Sequence, residues 1–86
     1  MMTSKQKYFL NKLFIEIENL GGKDIAQNSN FASVGFDSYK MTSKMASHDI
    51  QMCLDIKSKM ENGISYEEAL EAFEEAENEK IRARFA

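Results

Sequence analysis

The chain has no proline, one cysteine, one histidine and four glycines, and each shortage closes off a class of structure or chemistry. Without proline, and with apolar residues recurring at the helical period, the sequence does not read as a turn-rich small β domain. A lone Cys53 allows neither an internal disulfide nor a cysteine-rich zinc site, and it fits a reducing interior, so a cytoplasmic location is expected. A lone His48 cannot build a histidine-based metal site by itself. Gly21-Gly22 stands apart from any phosphate-cradling glycine pattern, and no nucleotide cofactor is expected. No apolar run approaches the roughly 18 to 20 residues of a membrane span, and no signal-peptide core opens the chain, so neither membrane insertion nor export is expected.

What is present is enough for one packed domain spanning residues 1–86. Hydrophobic residues make up 43% of the sequence and charged residues 29%, which argues against disorder. A chain of this size buries only about 60% of its unfolded surface and has little core to spare for a deep active site. The most strongly patterned stretch is Met41 to Gly63, where Met45, Ala46, Ile50, Met52, Cys53, Leu54, Ile56 and Met60 fall in an arc of roughly 200°. That is wider than a one-sided surface helix requires, so this central helix, about 42–62, needs neighbours on two sides.

The first helix, about 3–20, opens with T-S-K-Q, in which Thr3 and Gln6 form a capping box. Its core face is Phe9, Leu10, Leu13, Phe14, Ile17 and Leu20, and Gly21-Gly22 ends it with positive φ. Tyr8 and Ile15 lie on the opposite side, where they either touch the following loop or form a partner surface. The long stretch 21–41 combines turn chemistry (Asn28, Ser29, Asn30, Ser33, Gly35, Ser38) with Ile25, Phe31, Val34, Phe36 and Tyr39. It reads as an irregular lid folded back on the helices, with a short helical turn near Asp24 or an extended piece around Val34 to Phe36.

The third helix, about 65–85, starts at a second capping box, Ser65 with Glu68. The very short connection before it imposes an antiparallel or angled hairpin with the central helix. Tyr66, Ala69, Leu70, Phe73 and Ala76 form its core stripe. From Glu77 on, Glu77, Lys80 and Arg84 interrupt that stripe, so the last two turns are expected to project, with Ile81 and Phe85 as a small exposed apolar ridge. The predicted fold class is therefore all-α, a compact three-helix domain with a long irregular loop between its first two helices.

Charge is unevenly divided. Residues 1–44 carry six lysines against four acids, and residues 45–86 carry five basic residues against ten acids, so the halves stand at +2 and −5. Glu67, Glu71, Glu74 and Glu75, with Glu68 and Glu79, share the outer face of the third helix. That face is either a solvated surface, with acids near the helix N-terminus and Lys80, Arg82 and Arg84 near its C-terminus as the dipole prefers, or a ridge that imitates nucleic-acid phosphates or docks on a basic surface. Lys5, Lys7, Lys12, Lys23, Lys40 and Lys44, with Tyr8, Phe36 or Tyr39 for stacking, make nucleic-acid binding conceivable. A pI near 5.1 and the lack of arginine before Arg82 make it the weaker expectation.

Asp49 lies in the middle of the central helix's apolar arc. A buried carboxylate needs a partner, so Asp49 is expected either to cap, pair with a lysine or accept from loop amides, or to meet a ligand. His48-Asp49 has the look of a metal-phosphohydrolase dipeptide, but the second histidine is missing. Cys53 on the apolar face reads as an inert core thiol. No catalytic residue, metal ligand or cofactor is predicted, and no enzyme activity.

The T-S-K-Q opening, a helix ending in L-G-G, and K-M-T-S-K-M-A-S-H-D-I resemble small helical modules of phage and prophage proteins. Those modules pair a Thr-x-x-Gln helix start with a Thr-x-x-x-Ala-Ser-x-x-Ile helix. The resemblance touches Thr3, Gln6, Leu13, Leu20, Thr42, Ala46, Ser47 and Ile50 over about the first 60 residues; Met45 and the aromatic-bearing loop depart from it. It implies an accessory protein of the kind found near recombination or single-strand DNA proteins, acting in the host cytoplasm. The expected function is non-catalytic docking on another protein or on a second copy through the C-terminal helix, with acidic mimicry of nucleic acid as the alternative. The candidate contact residues are Glu67, Glu71, Glu74, Glu75, Ile81, Phe85, Tyr8 and Ile15.

Overall fold

The computed structural model describes residues 1–34 and 40–85, without the side chains of Phe31 and Ser33. It is all-α, with three long helices, α1 (Ser4–Leu20), α3 (Ser43–Glu61) and α4 (Tyr66–Phe85), and a single-turn α2 (Phe31–Val34). There is no strand among the described residues. A 3-10 turn, Ile25–Asn28, occupies the place where a helical turn near Asp24 is expected. Val34 closes α2 instead of opening an extended piece, and Phe36 and Tyr39 lie outside the described residues.

The caps form as their residues dictate. Thr3 accepts from the Gln6 amide and Gln6 reaches back to the Thr3 amide, while Gly21 ends α1 in the left-handed region at φ 116°. Thr42 accepts from the Met45 amide to start α3, and the Ser65 hydroxyl accepts from the Glu68 amide at the start of α4, one half of the expected capping box.

Two sets of contacts fix the direction of the helices. Near their N-termini, Gln6 Nε2 of α1 donates to the Ser43 carbonyl and the Ser47 hydroxyl of α3, each at 3.1 Å. Ten residues along, Glu16 of α1 pairs with Lys57 of α3. These helices therefore run parallel, and a parallel pair needs a connection that travels back along the full helix length. At about 1.5 Å per residue that return is on the order of 25 Å, which is why the loop is long. Its described part packs back on the helices: Ile25 is fully buried, and the Met41 that ends it is buried too. The short link at Gly63, itself at φ 90°, turns the chain so that α4 runs antiparallel to α3, with Phe73 and Glu77 returning beside His48.

The core joins Leu10, Leu13, Phe14 and Ile17 of α1 to Ala46, Met52, Cys53 and Ile56 of α3, with Tyr66 and Ala69 of α4. Four expected core residues lie outside it. Phe9, Leu20 and Leu54 are exposed because they sit at the edges of their apolar arcs, where no neighbouring helix reaches. Ala76 is exposed at the edge of the α4 stripe, on a turn whose contact with α3 is made instead by Phe73 and Glu77 against His48.

Candidate functional site

Polar residues stitch the loop, α3 and α4 together. Asp49 is 0% exposed, and its Oδ1 accepts from the Asn30 amide at 3.0 Å, so the loop-amide expectation holds. Asn30 also donates through Nδ2 to the Met45 carbonyl at 3.4 Å. On the far side of the loop, Asn28 donates to the Tyr66 hydroxyl at 3.2 Å. Burial, together with the Asp24 carboxylate, holds the Tyr66 phenol above the ordinary range. Burial, with the charge of Asp49 nearby, pushes the Cys53 thiol up to about 12, as an inert core thiol requires.

His48 is where α3 meets α4. Its Nε2 lies 3.3 Å from Glu77 Oε1 and its Nδ1 3.7 Å from Asp49 Oδ1, and its ring meets Phe73 edge-on at 5.7 Å between centroids. The helical wheel puts His48 at the edge of a polar face and Glu77 in an interrupted stripe, but their meeting depends on how two helices align and has no local signal. Beside them opens a cleft of about 250 Å³, lined by Asn28 of the loop, His48 and Met52 of α3, and Phe73, Glu74 and Glu77 of α4. That is below the roughly 300 to 1,000 Å³ of small-molecule sites. Among the described residues no three histidine, cysteine, aspartate or glutamate side chains are arranged to hold a metal ion, and no helix is long and apolar enough to cross a membrane.

The sequence-predicted contact residues fall on two separate surfaces. Glu67, Glu71, Glu74 and Glu75 are all exposed along α4. Past them, Ile81 is 50% and Phe85 86% exposed, so the apolar ridge projects as expected. Phe73, Glu77, Ile81 and Phe85 succeed one another at four-residue steps, a single ridge running from the cleft to the tip of α4. Tyr8 and Ile15 stand on the outer face of α1, 74% and 50% exposed. Lys5, Lys7, Lys12, Lys23, Lys40 and Lys44 are all exposed too.

No family model, curated protein or solved structure matches the chain.

Proposed function

We propose that the protein is a non-catalytic interaction module, of the phage or prophage accessory kind its sequence resembles, that works in the cytoplasm by docking α4 onto another protein chain. The observation that carries this is the far half of α4, where two large apolar side chains, Ile81 and Phe85, stand in solvent on a helix that has left its own core. Isolated exposed apolar residues are ordinary; two at an i,i+4 spacing form a contiguous surface of the kind used in helix docking. The conspicuous surfaces lie along helices.

A second reading rests on the exposure of Glu67, Glu71, Glu74 and Glu75 along one helix, which would present regularly spaced negative charge to a basic nucleic-acid site on a host protein. Weak binding of single-stranded nucleic acid by the exposed lysines stands behind both.

The test is capture of bacterial proteins on the immobilised folded domain, with and without nuclease, followed by mass spectrometry. A nuclease-resistant stoichiometric partner, lost with Ile81→Asp or Phe85→Asp, supports docking through the tip of α4. Loss with Glu71, Glu74 and Glu75 reversed to lysine, and not with the apolar variants, transfers the assignment to mimicry. Capture that disappears with nuclease assigns the lysine-bearing surface and overturns both.

A further inference from the structure

We infer that the occupant of the α4 ridge is a second copy of this chain, joined antiparallel so that Phe85 of each copy seats in the cleft beside Phe73 of the other. The inference rests on the docking reading above and names its partner. Three observations support it.

The chain carries both a knob and a hole on one ridge. Phe85 is 86% exposed, the most exposed of the large hydrophobic side chains among the described residues. The open cleft of about 250 Å³ by Met52, Phe73 and Glu77 has room for a phenyl ring, and Phe73 offers that ring an aromatic neighbour. Phe73, Glu77, Ile81 and Phe85 follow one another at four-residue steps along an inclined ridge of α4 that connects hole and knob.

Phe85 cannot fill its own cleft. It lies eight residues beyond Glu77 on a continuous helix, on the order of 12 Å away along the axis, and the two stay apart as long as α4 stays helical. The contact must therefore be made in trans. A two-fold axis level with residue 79, midway between Phe73 and Phe85, brings each Phe85 to the other copy's cleft and each Arg84 to the other copy's Glu74, the self-complementary arrangement of an isologous dimer.

Charge then selects the antiparallel sense. The tip that carries Phe85 also carries Arg82 and Arg84, while the cleft carries Glu74 and Glu77. Antiparallel pairing lays arginines over glutamates twice; parallel pairing lays like charge over like.

The decisive measurement is sedimentation velocity of the full chain across a range of micromolar to millimolar concentrations. Self-association to a dimer is expected, weakened about thirtyfold or more by Phe85→Ala, as for a central aromatic anchor. Arg84→Glu and Glu74→Arg should each weaken the homodimer, and an equimolar mixture of the two should recover a 1:1 heterodimer. Circular dichroism of each variant establishes that the fold is intact. Contacts between Phe85 and Phe73 seen only between differently labelled copies by isotope-filtered NMR would place the ring. A chain monomeric at every concentration overturns the inference, as does a dimer indifferent to Phe85→Ala or one whose charge variants fail to recover on mixing. In the monomeric case the docking reading survives if Phe85→Asp still abolishes capture of a nuclease-resistant partner; if it does not, that reading fails as well.

Discussion

A Cβ placed on Gly22 would lie 2.6 Å from Ile17 Cγ2 and 2.7 Å from Tyr66 Cδ1. Neither neighbour has room to retreat, because Ile17 is fully buried and Tyr66 is buried and held by Asn28. Gly22→Ala is therefore expected to cost about 1 to 3 kcal/mol, as overpacking does, read from the urea midpoint at unchanged slope. Gly21→Ala, with nothing within 4 Å of the new Cβ but a φ of 116°, should cost about 1 to 2 kcal/mol through backbone strain alone. A Gly22→Ala protein as stable as the wild type would show that Tyr66 can move. Cys53 gives a second residue-level prediction: fully buried and with its thiol pushed up to about 12, it should resist a thiol reagent at neutral pH and label only as the chain opens, at a rate that rises with denaturant. Sequence shows part of this and hides the rest. Gly21-Gly22 is visible as a helix stop because that signal is local, whereas the packing duty of Gly22 depends on Tyr66, which no local pattern connects to it. Likewise Asp49 is visibly buried because burial follows the helical period, but its partner, the Asn30 amide, sits in an irregular loop where side-chain periodicity carries no information.

At the scale of elements, the parallel course of α1 and α3 is the feature that shapes the rest, since it forces the long return loop and leaves only one short hairpin, between α3 and α4. Gln6 anchors that parallel pair twice, closing the α1 cap and bonding to Ser43 and Ser47 of α3. Gln6→Ala should thus cost more than an ordinary cap, which is worth about 1 kcal/mol, and Gln6→Glu, which keeps the acceptor for the cap but loses the donor to α3, should fall between; thermal unfolding of the three proteins ranks them. Glu16 and Lys57 tie the same helices further along. Lys57 holds the Glu16 carboxyl below its ordinary 4.5, and Glu16 holds the Lys57 ammonium above its ordinary 10.5. A lowered carboxyl contributes stability above pH 4.5 that is lost as pH falls through its folded value. A raised ammonium contributes below pH 10.5, and that part is lost as pH rises through its folded value. Melting temperatures of wild type and Glu16→Gln should differ modestly across the neutral range, where the pair is solvent-screened, and converge toward both extremes. A constant difference at every pH would remove the pair as its cause. Helix existence, type and caps were legible from Thr3, Gln6, Thr42 and Ser65 because these signals are local. The misjudged core edges, Phe9, Leu20, Leu54 and Ala76, were not, because whether an edge residue is covered is decided by the neighbouring helix.

Over the whole molecule, stability is concentrated in the α1 and α3 pair and thins along α4. Leu10, Leu13 and Ile17 meet Ala46, Cys53 and Ile56 in a seam of residues almost wholly removed from water, whereas α4 holds on through Tyr66, Ala69, Leu70 and Phe73 and then leaves the core. Every residue after Glu77 is exposed among those described. Amide exchange should follow that gradient in dilute protein: slowest across Leu10 to Ile17 and Met52 to Ile56, intermediate at Ala69 to Phe73, and faster by about tenfold or more beyond Asn78, where opening a turn uncovers almost no apolar surface. The same profile separates two origins for any order in the tip. A tip held by its own helix propensity exchanges at one rate whatever the protein concentration, while a tip clasped by a second copy gains protection as concentration rises, with the α1 and α3 seam unchanged. Protection that rises across all three helices together would instead mean that association stabilises the whole fold, and the two-layered picture of a firm pair carrying a loosely held interaction arm would be wrong.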